Sequence, residues 1–373
     1  MTNKEMVQDY IQSKGLKKTT YHTYYSILED YSQQQESSLY DLIMEADNEE
    51  DDGIRWKHRK LKKRLISYMN YLKQTRKISS AKTYLNIVKS FYYYHEIEIQ
   101  QLPKLNLKNS NVSDPILYSE LPDREIIQKA LRVSDHLMRA LILFLVSSGM
   151  SKVDARKLTI QDFITATGDY HNETDIIKVL DSLEDKKDII PTFRLRRTKT
   201  NKYFITFITP EATKELIDYL RFRNEKKPIQ NTDPLFQIGK VTYTLRFEAI
   251  NEALRLGKVG SYNRFRGHML RKYHASNLEK AGMNRYQINV LQGKSNGAVD
   301  DVYFLEDTEH LREEFVKYMH CLIFNSDVNM VDVYSDEYLE VLEENKRLRQ
   351  QNDRIKSLED SIENIKSWYQ IDD

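Results

Sequence analysis

The chain has 373 residues, enough for two domains at about 100–200 residues each. Hydrophobic residues make up 40% and charged residues 30%, a globular rather than a disordered composition. Lys and Arg total 57 against 56 Asp and Glu, so net charge points to no partner and only its distribution carries information. The single cysteine, Cys321, excludes a disulfide framework and a cysteine-based zinc site. The longest apolar run, Ala140 to Val146, falls far short of the roughly 18 residues that a membrane span needs, and the first residues lead into no signal core. These features predict a soluble, cytoplasmic protein.

Residues 1–105 read as a helical domain. Met6, Tyr10 and Ile11, then Tyr21, Tyr24, Tyr25, Leu28 and Tyr31, recur at helical spacing. Two further helices are expected, over 56–74 and over 80–95, the second opening on Ser79 and Ser80. Charge is segregated here. Asp47 to Asp52 reads as an acidic loop, and no carboxylate follows until Glu96. Between them stand Arg55, Lys57, Arg59, Lys60, Lys62, Lys63, Arg64, Lys73, Arg76, Lys77, Lys82 and Lys89, interleaved with Tyr68, Tyr71, Tyr84, Tyr92, Tyr93 and Tyr94. Basic side chains in such a block neutralise phosphates and release counterions, which makes them candidates for DNA contact. The same pattern also fits a solvated helix face over a tyrosine-rich core.

Residues 106–122 read as a linker, because Asn109, Ser110, Asn111, Ser113, Pro115 and Pro122 break periodicity. A second domain spans 123–328. Asp123 caps a helix to Val133, and Ser134 or Asp135 caps the next, which ends near Gly149. Residues 189–194 and 203–208 read as strands around a turn at 199–202, a small antiparallel sheet. Pro210-Glu211-Ala212 opens another helix. The expected fold class is therefore mainly α with a small antiparallel β-sheet. From 329 to 373, Val341, Leu348, Ile355, Ile362 and Tyr369 form one heptad seam, whereas Glu344 and Gln351 interrupt the other. The tail fits a short coiled coil or an amphipathic helix that docks elsewhere.

Arg266-Gly267-His268-Met269-Leu270-Arg271 is followed by Gly282, Leu291-Gln292-Gly293-Lys294 and Val302-Tyr303. This run resembles the catalytic domain of the tyrosine recombinases, or phage-type integrases. That family has His-x-x-Arg opening a helix, a Gly closing it, a Leu-x-Gly-His turn and then a nucleophilic Tyr, and the spacings here fit without a gap. The resemblance implies a DNA strand transferase in which Tyr303 attacks a phosphate and leaves a 3′-phosphotyrosyl link. It makes Arg271 the donor to the non-bridging oxygens and His268 a second donor or proton-transfer group. Arg197 to Phe204 resembles the family's β-hairpin, which makes Lys199 the general acid for the departing 5′-hydroxyl, with Lys202 as a neighbouring alternative. No metal or other cofactor is implied.

Two positions depart from the pattern. The first family arginine falls on Ser151, which cannot clamp a phosphate; Lys152 or Arg156 could substitute. The second histidine falls on Lys294, which can still donate to an oxygen. Two readings stay open: an active, divergent recombinase, or a DNA-binding architectural or regulatory relative with weakened cleavage. The divergence points to a mobile-element integrase of archaeal or viral type. By the resemblance, residues 1–105 form the core-binding domain, the partner is double-stranded DNA at specific recombination sites, and the chain self-associates into a tetrameric synapse. The segment from Glu309 to Phe324 resembles the one that family members pack onto a neighbouring protomer, through Met319, Leu322, Ile323 and Phe324.

Overall fold

The computed structural model describes residues 2–104, 117–294 and 308–324. The chain divides into two compact units, Met1–Pro115 and Ile116–Asp373. Tyr303 and the heptad tail lie outside the described residues, as does most of the 106–122 segment.

The first unit is all helix: α1 (Asn3–Ser13), α2 (Lys18–Gln34), α3 (Leu39–Asp51), α4 (Lys60–Thr75) and α5 (Ile78–Tyr94). A capping box opens α1, with the Thr2 side chain accepting from the Glu5 amide and the Glu5 carboxylate accepting from Thr2 N–H at 2.7 Å. The 47–52 segment is not a loop. Leu39, Leu42, Ile43 and Ala46 bury one face of α3, and that burial carries the helix to Asp51 despite the weak helix propensity of Asp47, Asn48 and Asp51. The helix expected over 56–74 starts later. Trp56–His58 is a single 3₁₀ turn, Arg59 is extended, and α4 begins at Lys60. Likewise α5 begins at Ile78, with Lys77 rather than Ser79 or Ser80 in the cap position and no side-chain cap. The missing cap of α4 comes from the neighbouring helix. Buried Glu49 accepts from the Lys60 amide at 2.7 Å and the Leu61 amide at 3.4 Å. Packing thus supplies what local sequence does not.

Of the tyrosines of the basic stretch, Tyr68 and Tyr92 are core, Tyr71, Tyr84 and Tyr94 pack half-buried against it, and Tyr93 is exposed. Tyr31 and Tyr92 are buried with their hydroxyls 3.0 Å apart, and buried Tyr68 donates to Asp30 at 2.8 Å. Burial pushes all three phenols up, so they are structural donors at neutral pH.

In the second unit, α6 (Arg124–Arg132) and α7 (His136–Ser148) carry the expected caps. Asp123 accepts from Ile126 N–H and Asp135 from Met138 N–H, each at 2.8 Å. Every residue of α7 from Met138 to Ser148 is buried, which makes it the central helix of the unit. It ends at Gly149, whose φ of +61° places it in the left-handed region; a Cβ there would lie 2.5 Å from the His274 ring. Short helices α8 (Lys152–Ala155), α9 (Ile160–Ala166) and α10 (Ile176–Glu184) lead to β1 (Thr192–Arg196) and β2 (Tyr203–Phe207). These strands pair antiparallel, from Thr192 opposite Phe207 to Arg196 opposite Tyr203. Then follow α11 (Pro210–Lys226), α12 (Lys240–Ala253), a second hairpin of β3 (Lys258–Val259) and β4 (Tyr262–Asn263), α13 (Gly267–Ala281), α14 (Arg285–Leu291) and α15 (Thr308–Tyr318). The fold is mainly α with two small antiparallel hairpins.

Two segments singled out in the sequence have definite partners in the second unit. Residues 117–122, at the end of the expected linker, are held by the second unit: Arg264 donates to the carbonyls of Ser119 and Leu121 at 3.2 and 3.4 Å, and Leu121 is buried. The segment after α15 packs on its own unit. Leu322 and Phe324 are buried in its core, and Phe324 is tied by its amide to Glu211 at 2.7 Å and by its carbonyl to Gln128 at 3.0 Å. Leu322 and Phe324 are thus consumed within the unit, whereas Met319 and Ile323, named with them for a neighbouring protomer, stay partly exposed.

Candidate DNA strand-transfer site

The site is built around the first turns of α13. Arg266 is extended and Gly267 starts the helix. A side chain at 267 is impossible as the unit stands, because a Cβ would lie 1.7 Å from the Tyr243 hydroxyl. One position after Gly267 comes His268, and His268 and Arg271 lie on one helix face, as i, i+3 spacing demands. The helix closes at Gly282, whose φ is +111°.

Arg271 is buried, and its guanidinium is fixed at two points. One amino group donates to the Gly149 carbonyl at 2.6 Å, the other to the Gln292 carbonyl at 2.7 Å. It therefore ties the end of α7 to the turn after α14. Burial, then the nearby Arg197, pushes it down to about 10, still charged at neutral pH. His268 is exposed. Desolvation and then the cations Lys272, Arg266, Arg271 and Lys294 hold it below its ordinary range, so it is a neutral imidazole able to take or relay a proton. Lys294, in the slot of the second histidine, is pushed down to about 8 by desolvation and then by Arg271, Arg285 and Arg197. An ammonium in that range is a competent proton donor at neutral pH.

Arg271 and His268 open into a cavity of about 490 Å³. Five Lys or Arg side chains line it, namely Lys152, Arg197, Lys258, Arg266 and Arg271, against one carboxylate, Glu248. A concave surface with this balance suits an anion. Sequence reasoning named Lys152, His268 and Arg271 as site residues and missed Lys258, Arg266 and Arg197, the last of which donates to the Gly293 carbonyl at 2.8 Å. No local signal marks Arg197; its place depends on how the β1–β2 hairpin packs.

The departures from the motif have definite positions. Ser151 caps α8, accepting from the Asp154 amide at 3.3 Å and donating to the Asp154 carboxylate at 2.7 Å. Lys152 lines the cavity, but its ammonium donates to Thr244 at 2.8 Å and the Lys240 carbonyl at 3.3 Å, and stands 4.5 Å from the centre of the Tyr243 ring. Arg156 donates to the Ile238 carbonyl at 3.1 Å and does not line the cavity. Lys199 is exposed on the β1–β2 turn and is not part of the cavity wall. Among the described residues no cluster of three or more His, Cys, Asp or Glu could hold a metal ion, and no helix is long and apolar enough to cross a membrane.

In the first unit, part of the basic stretch is already neutralised. Arg59 pairs with Glu50, Arg64 with Glu45 at 2.7 Å, Lys60 with Glu45 at 3.5 Å and Arg76 with Asp30 at 3.2 Å. Arg55, Lys57, Lys63, Lys77 and Lys82 are exposed, and Lys62, Lys73 and Lys89 are half-buried.

No family model matches the chain, and no curated protein matches it by sequence. Among solved structures it is similar to the XerA recombinase, at 16% identity and a TM-score of 0.35, covering 84% of this chain and 97% of that one. It is similar to the Tn1549 transposon integrase in complex with circular intermediate DNA, at 17% identity and a TM-score of 0.45, over 85% and 99%. It is also similar to a lambda integrase dimer bound to a COC′ core site, at 14% identity and a TM-score of 0.43, over 82% and 100%. These are tyrosine recombinases, the family that the sequence motif resembles.

Proposed function

We propose that the chain is a site-specific DNA strand transferase of the tyrosine type, acting in the integration or excision of a mobile element. One observation carries this reading: Arg271 and His268, three residues apart in the motif that continues ungapped to Tyr303, converge in a single cationic cavity. In the reaction the Tyr303 oxygen bonds to phosphorus and the bond from phosphorus to the 5′-oxygen breaks. The phenol proton leaves toward neutral His268, and the 5′-oxygen takes a proton from Lys199. Arg271 donates to the non-bridging oxygens, where negative charge grows in the transition state. Lys294 donates to the same phosphate. The exposed cations of the first unit, Arg55, Lys57, Lys63, Lys77 and Lys82, contact backbone phosphates and set the salt dependence of binding. Several copies assemble on two duplexes for strand exchange.

The test uses duplexes enriched for binding from a random-sequence pool and then nicked, so that cleavage traps a covalent adduct. Wild type forms the adduct; Tyr303→Phe binds equally and forms none. Adduct persisting in Tyr303→Phe would sink the assignment. A second reading, a DNA-binding relative that does not cleave, is favoured by Ser151, whose hydroxyl is spent on Asp154 rather than on a phosphate. It predicts sequence-specific binding with no adduct from wild type.

A further inference from the structure

We infer that Arg197 is the second phosphate-clamping guanidinium of this site and takes over the work of the arginine that the chain lacks at Ser151. The inference rests on the strand-transfer reading above.

Arg271 and Arg197 are anchored on consecutive peptides of one turn. Arg271 donates to the carbonyl of Gln292 at 2.7 Å and Arg197 to that of Gly293 at 2.8 Å. Both line the same cavity. Two guanidinium groups held side by side repel each other; the Asp154 carboxylate offsets only part of this at Arg271, and its own hydrogen bonds come from neutral donors. Its two oxygens accept from Ser151 Oγ at 2.7 Å and from the Thr198 amide at 2.9 Å. A fold that holds like charges together in this way is relieved when an oxyanion enters between them. Arg197 also keeps donor capacity in reserve: its Nε is buried without a partner among the described residues. The protein's own acceptors therefore leave this arginine's donors unsaturated, a cost that an added acceptor can relieve.

The two candidates nearest to Ser151 in sequence are less suited. Arg156 points at the Ile238 carbonyl, and the Lys152 ammonium is held by Thr244, Lys240 and the Tyr243 ring. Asp154 couples the exchange at 151 to Arg197. The same carboxylate that binds the Ser151 hydroxyl fixes the amide next to Arg197, so a small hydroxyl at 151 serves to fasten the hairpin that presents the arginine.

Two measurements on the full chain test this. The first is a saturable rise in melting temperature with inorganic sulfate, against sodium chloride at matched ionic strength. Wild type and a Lys157→Gln control show it, whereas Arg197→Gln and Arg271→Gln each weaken sulfate binding at least roughly tenfold. Wild-type sulfate binding in folded Arg197→Gln overturns the inference, as does the absence of a saturable effect in wild type. The second is the rate of Tyr303-dependent adduct formation at saturating protein, which should fall by about 100-fold or more in Arg197→Gln, the usual scale for losing one transition-state donor. A wild-type rate overturns the inference. If wild type forms no adduct, the strand-transfer reading fails, while the sulfate measurement still decides the clamp. Arg197→Lys keeps the charge and loses the fork. If Arg197→Gln does not fold, the lysine variant decides, and wild-type behaviour in both measurements overturns the inference.

Discussion

Arg271 and Gln292 exchange hydrogen bonds with each other's main chain: the Arg271 guanidinium donates to the Gln292 carbonyl at 2.7 Å, and the Gln292 side-chain amide donates to the Arg271 carbonyl at 2.9 Å. Both residues are buried. The pair locks α13 to the turn carrying Gly293 and Lys294, so Arg271 is a structural strut as well as the proposed phosphate donor. Arg271→Ala strands the carbonyls of Gly149 and Gln292 and should destabilise the second unit by about 2–4 kcal/mol. Arg271→Lys, which can reach only part of that set, should cost less. Urea denaturation of the two variants checks the order; equal stability of Arg271→Ala and wild type would refute the strut.

Glu49 caps a helix it does not belong to. Glu49→Ala should destabilise the first unit by about 1–2 kcal/mol, the scale of a lost helix cap. Glu49→Gln keeps an acceptor but loses the charge facing the start of α4, so its cost should be smaller, about 0.3–1 kcal/mol. Hydrogen exchange at the Lys60 and Leu61 amides reads this directly, with protection falling in the order wild type, Gln, Ala.

Gly267 and Tyr243 form a contact with no room for a methyl group. Gly267→Ala should therefore lower stability by about 1–3 kcal/mol, as overpacking does. Tyr243→Phe removes the hydroxyl that a Cβ would strike, and leaves the next ring atom 2.9 Å away. The double variant should recover part of the loss, so that a double-mutant cycle shows coupling. Additive losses would mean that the contact is relieved by some other movement.

His274 predicts a pH dependence. It is fully buried, its Nδ1 lies 3.0 Å from the Val146 carbonyl and so carries the proton, and its Nε2 has no partner among the described residues. Burial, against the opposing pull of the Val146 carbonyl, pushes it down to about 3 from an ordinary 6.5. Below 6.5 the unfolded chain takes up a proton that the folded chain refuses. Stability should therefore fall as the pH drops from 6.5 toward 3, by up to about 1.4 kcal/mol per pH unit within that window. His274→Asn keeps a donor toward Val146 but cannot be protonated, so its stability at neutral pH is lower and this share of the slope disappears. An unchanged slope between pH 6 and 4 would assign the acid sensitivity to other groups.

What the sequence determined by itself was local and periodic. Asp123 and Asp135 cap their helices, Gly149 and Gly282 end theirs in the left-handed region, and His268 and Arg271 share a face of α13, because caps, φ and helical repeat act within a few residues. The same local rules misjudged α3, where burial of an apolar face overrode a run of acids, and the start of α4, where the capping group comes from another helix. Only the tertiary structure decided which basic side chains are spent on carboxylates, that Ser151 fastens a turn, and that Arg197 from the hairpin stands beside Arg271 on neighbouring carbonyls. The reason is physical. Charge and hydrogen-bonding capacity are written in the sequence, but whether a group meets a partner, a like charge or an open cavity depends on segments far apart in the chain being packed together.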